Sequence, residues 1–155
     1  MKKQKTKLGI VYAIIYVVII IALVYTDITN ALTELFTLYD FALILIVTFV
    51  ALFVGGNFIA FWKSFVLLGD SSASKKQLQE SIDAISFSIK AVLASGAFFS
   101  AAFFFLICNE DFDNTITRIV NYGGCGRTLV HSFFLVLLLL PLVYRLKKQM
   151  IRKEE

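Results

Sequence analysis

Charge is scarce in this chain. Only 17% of its 155 residues are Asp, Glu, Lys or Arg, against about 25% in an ordinary soluble domain. Cysteine occurs twice, at Cys108 and Cys125, and proline, histidine and tryptophan once each, at Pro141, His131 and Trp62. Two cysteines supply neither a disulfide framework nor a four-cysteine metal site. With one histidine there is no H-E-x-x-H pair, and G-x-S-x-G and a glycine-rich loop between strand and helix are also missing. The glycines of Gly123–Gly126 precede an apolar run and read as a flexible turn. No enzyme chemistry, metal or cofactor is therefore expected.

What the chain has instead is oil. Apolar types make up 59% of it and aromatic types 15%, more than a soluble globule of this size can hide. Charge collects in short islands, and the stretches between them reach the roughly 20 residues that cross a bilayer. The expected class is an all-α integral membrane protein, with residues 1–155 forming a single membrane domain of four transmembrane helices. The spans cover about 8–26, 41–62, 91–108 and 128–144. The second ends in a Phe-Trp pair of the kind found at headgroup level. Ser74 followed by Gln77 is a capping-box signature, so a cytoplasmic helix over about 75–90 should run on into the third span. The basic N-terminus before an apolar run has the grammar of a secretory signal, but its core is long and no small-residue cleavage site follows, which favours an uncleaved first span.

Retained Lys and Arg mark the cytoplasmic side of a membrane protein. Residues 1–7, 63–81 and 145–155 together hold twelve of the fifteen, whereas the loops on the other side hold Arg118 and Arg127. Those loops carry Asp27, Glu34, Asp40, Glu110, Asp111 and Asp113. Both termini are thus expected in the cytoplasm. The positive charge orients the chain in the bilayer and does not serve nucleic acid.

Inside the spans the polar groups are hydroxyls, Thr48, Ser95, Ser100, Thr128 and Ser132, with His131 beside the last two. Taken singly, each hydroxyl is expected to bond back to a carbonyl one turn earlier. His131 lies near the outer boundary and is expected to be neutral. Ala94, Gly96, Ala97, Ser100 and Ala101 form small-residue faces suited to close helix packing. Pro141 predicts a kink or hinge in the last span. Cys108 and Cys125 lie near the outer ends of neighbouring spans; a disulfide could close that hairpin, but spacing alone does not bring their Cα atoms within about 7 Å, and unbridged thiols are the favoured reading. No Asp or Glu lies in any hydrocarbon-crossing segment, so a protein that moves protons here would borrow its carboxylate from another chain.

The last span, TLVHSFFLVLLLLPLVYRLKK, has a threonine, a proline thirteen residues later and a basic exit. It resembles the final helix of the MotA/TolQ/ExbB proton-channel family, most closely the short MotA-like stator subunits. YDFALILIVTFVALFVGGNFIAFWKSF is similar to the second helix of that family and the segment after it, and SKKQLQESIDAISFSIKAVLASGAFFSAAFF to its long third helix. The resemblance implies a homopentameric ring around a pair of MotB- or ExbD-like single-span partners, in the bacterial inner membrane. The partner's aspartate would accept the transported proton or sodium ion. It further implies that Thr128 and Ser100 face the ion path and that Pro141 is the conformational hinge. Leu93–Ala94 stand where the family has a third-helix proline, and His131 where glycine is common. The alternative reading is a non-conducting four-helix scaffold for a partner protein.

Overall fold

The computed structural model describes residues 14, 15, 17, 18, 21, 38–70, 72–109 and 124–153. Among these the chain is all-helical, with α1 (Leu38–Val54), α2 (Phe58–Leu67), α3 (Lys75–Cys108) and α4 (Arg127–Ile151). The expected first span, 8–26, lies mostly outside the described residues; Ile14, Ile15, Val17, Val18 and Ile21 within it are helical and exposed. Both acidic outer loops lie largely outside them as well. Two helices, α3 and α4, are long and apolar enough to cross a membrane, and a third span is added if α1 and α2 are taken together.

They do not form one rod. The expected continuous span over 41–62 is broken after Val54, and the helices on either side meet at 102°. The cause is local. Gly56 sits at φ +68°, a conformation costly for any residue with a Cβ. Around it, Asn57 N–H bonds to the Leu52 carbonyl at 2.9 Å and Gly56 N–H to that of Phe53 at 3.1 Å. These are the two bonds of a Schellman motif, which satisfy carbonyls that an ending helix leaves open. An apolar run says nothing about a glycine's φ, so the break is invisible to hydropathy.

α3 begins where its signature places it. Ser74 Oγ accepts from Gln77 N–H at 3.2 Å and the Gln77 side chain accepts from Ser74 N–H at 2.9 Å, a complete capping box. The helix then runs 34 residues, about 51 Å at 1.5 Å per residue, well beyond a hydrocarbon core of about 30 Å. Its first half is not a free projection. Leu78, Ile82, Ala84 and Ile85 of α3 bury against Leu52 of α1, Phe61 of α2 and Leu142 and Leu146 of α4. α4 continues unbroken through Pro141, which is exposed. The proline takes away the helical donor to the Leu137 carbonyl, a loss that long helices in membranes tolerate.

Candidate functional site

Among the described elements the most extensive packing is between α3 and α4, and at Gly96 the two come very near. A Cβ built there would stand 2.0 Å from Ser132 Oγ, 2.7 Å from Ser132 Cβ and 2.9 Å from the Thr128 carbonyl. Only a residue without a side chain lets the two backbones come this near. Ser132 occupies the space that Gly96 leaves empty.

The close approach sends hydroxyls across the interface. Thr128 is fully buried and its Oγ1 donates to the Gly96 carbonyl at 3.2 Å. Ser100, one turn further along α3, donates to the Cys125 carbonyl just ahead of α4. Ser95 follows the expected pattern and bonds back to Ala91 at 2.7 Å. The hydroxyls of Thr48 and Ser132 are buried with no hydrogen-bond partner. Back-bonding is thus the use of one of these five groups, and tying α3 to α4 is the use of two. A sequence lists hydroxyls without saying which carbonyl a second helix brings within reach.

His131 is buried on α4 one turn beyond Arg127, whose carbonyl lies 2.6 Å from Nδ1. A carbonyl only accepts, so Nδ1 carries the proton and a neutral ring keeps Nε2 as its acceptor. Phe41 of α1 meets the imidazole edge-on, with ring centroids 4.2 Å apart. The residue before it, Asp40, is only 5% exposed. The sequence reading put Asp40 in an acidic outer loop; here it opens α1 and is buried. What hid this was the missing apolar signal, since a lone carboxylate at the start of a span looks like loop charge until a neighbouring helix covers it.

Cys108 is exposed and Cys125 buried, and both are thiols. Burial, and secondarily Cys108, push the Cys125 thiol above its ordinary range. Of the small-residue faces, Gly96 and Ser100 are consumed by α4, whereas Ala94, Ala97 and Ala101 remain exposed on α3. Phe98, Phe104 and Phe105 flank them, also exposed. No group of three or more His, Cys, Asp or Glu suited to a metal ion occurs among the described residues.

Comparison of the chain with protein-family models, with curated proteins and with solved structures finds no match. The class that fold and composition define is an all-helical protein with two or three helices long and apolar enough to cross a membrane, α3 and α4 packed closely at Gly96.

Proposed function

We propose that this chain is a channel-forming subunit of an ion-driven membrane complex, of the kind its last three spans resemble. Copies form a pentameric ring in the bacterial inner membrane, both termini in the cytoplasm, around a pair of single-span partners whose aspartate carries a proton or sodium ion. The observation that carries this reading is the exposed alanine face of α3. Ala94, Ala97 and Ala101 repeat at helical spacing on a surface that α4 does not cover. Lipid gains nothing from a strip of alanines, but another helix gains close backbone approach. The hydrocarbon-crossing parts of α3 and α4 hold no carboxylate, which leaves an ion-binding acid to that other helix or to Asp40, buried in the first turn of α1.

A second reading has its own support. Thr128 and Ser100, the residues the resemblance assigns to the ion path, spend their hydroxyl protons on carbonyls of the same chain. That use suits a non-conducting scaffold whose hydroxyls only hold the hairpin shut. Extraction of the full-length protein from its native membrane in mild detergent, followed by native mass spectrometry and electron cryo-microscopy, separates the two. A ring of five enclosing foreign helices with an acidic residue level with Thr128 is expected. A monomer or homodimer without a partner overturns the channel reading in favour of the scaffold.

A further inference from the structure

The bend after Val54 leaves α2 with one face that no part of the described chain covers. Phe61 and Ser64 point inward, and Ser81 Oγ of α3 reaches the Ala60 carbonyl at 3.4 Å. Ile59, Trp62 and Val66, spaced three and four apart, are 67%, 51% and 74% exposed. Lys63 is exposed beside them. Trp62 is held in place by stacking on Phe49 of α1, centroids 6.4 Å apart, with Phe58, Phe61 and Phe65 around it.

The height of this helix follows from the packing. A Cβ at Gly55 would touch Phe87 Cζ at 3.3 Å, so the turn lies level with Phe87 of α3. From Phe87 to Cys108, α3 climbs about 31 Å, the thickness of a hydrocarbon core. Phe87 stands three residues before Lys90, exposed on α3 and the last charge before the uncharged run 91–108, so the turn lies where charge gives way to oil, and a bend of 102° there carries α2 out of the direction of α1 and toward the plane of the membrane surface. This end of the bundle is basic: of the ten Lys and Arg among the described residues from Lys63 to Lys153, all but Arg127 lie toward it, against Asp70, Glu80 and Asp83. An apolar, tryptophan-bearing face beside a lysine at a basic boundary matches an acidic leaflet in both oil and charge.

We propose that α2 lies in the plane of the leaflet at the basic end of the bundle, with Ile59, Trp62 and Val66 among the acyl chains and Lys63 on the phosphate of an acidic phospholipid. The helix is an anchor that holds the bundle at a set depth. From the proposed function this takes only the membrane setting, and the test uses the chain alone in vesicles, so the absence of a ring does not touch it.

Trp62 is the only tryptophan, so its fluorescence reports on α2 alone. The full chain is reconstituted into phosphatidylcholine vesicles carrying bromine at stepped depths along the acyl chain. Quenching is expected to be strongest for bromine near the headgroup end and to decline toward the bilayer centre. Strongest quenching at the centre would mean that α2 re-enters the bilayer, and no quenching would mean that protein covers it; either result overturns the placement. In a second arm, energy transfer from Trp62 to dansyl-labelled phosphatidylglycerol is compared with transfer to labelled phosphatidylcholine. The acidic lipid should be enriched, Lys63→Gln should lower the enrichment about fivefold and Lys63→Arg should keep it. Equal enrichment in the parent and Lys63→Gln rules out the headgroup contact.

Discussion

At Gly96 one missing side chain decides how two helices meet. Gly96→Ala puts a methyl group into the Ser132 side chain, and relief requires α3 and α4 to move apart, breaking the Thr128 bond to the Gly96 carbonyl. Overpacking of this sort costs about 1–3 kcal/mol and each such hydrogen bond about 1 kcal/mol. The variant is expected to unfold several degrees below the parent in a detergent thermal melt. Ser132→Gly in the same chain removes both of the nearest contacts and should restore part of the loss, the remainder coming from the Thr128 carbonyl at 2.9 Å and from a glycine inside α4. A Gly96→Ala protein as stable as the parent would mean that the helices are not this close. The small-residue pattern is readable in the sequence, but which of its members touches α4 is not. Gly96 and Ala97 are neighbours, and only helix phase sends one into the hairpin and leaves the other outside.

Elements begin and end here for different reasons, and their legibility differs accordingly. The start of α3 is written in side chains that bond to their own backbone, Ser74 and Gln77, so spacing alone finds it. The end of α1 is written in the backbone conformation of Gly56, which leaves no polar or apolar signature. The bend therefore supplies a test of its own. Nothing lies within 4 Å of a Cβ at Gly56, so a substitution there is penalised by φ alone. Gly56→Val should cost about 1–2 kcal/mol through left-handed strain, and Gly56→Asn distinctly less, because asparagine tolerates that region. Chemical denaturation of the two variants side by side checks the order. Equal stability would indicate that the turn adopts another conformation.

Across the described residues of the whole molecule, most of the large buried apolar side chains gather toward one end, with Ser64, Ser81 and Ser88 buried among them. Large apolar side chains, Leu52, Phe61, Leu68, Leu78, Ile85, Leu142 and Leu146, fill the basic end. The other end is sealed by glycine, hydroxyls, His131 and Asp40. A soluble-style core thus packs the first half of α3 against α1, α2 and α4, while closer packing of small residues joins α3 and α4 further along. The turn between α2 and α3 is tied into this core by Gln149 of α4, which accepts from Gly69 N–H at 3.3 Å and donates to the Asp70 carbonyl. Lys153 donates to the Ala73 carbonyl in the same region. Gln149→Ala is expected to speed amide hydrogen exchange at Gly69 by roughly tenfold, about 1.4 kcal/mol, leaving the α3–α4 contact at Gly96 unchanged. An unaltered rate at Gly69 would show that the tie does not order the turn.

Composition, charge spacing and the Ser74–Gln77 pair were enough to predict a helical chain with spans apolar enough to cross a membrane, the two long helices α3 and α4, and the capped start of α3. These are one-dimensional properties: the transfer energy of a run of residues, and bonds between groups three apart. Where the run over 41–62 turns, which hydroxyl reaches which carbonyl, that Asp40 is buried beside the Phe41–His131 contact, and that α2 presents Trp62 and Lys63 on one open face were decided only in three dimensions. The phase of one helix against another has no letter in the sequence, and the φ of Gly56 is marked only by the Gly55–Gly56 pair, a turn signal that the apolar run around it masks.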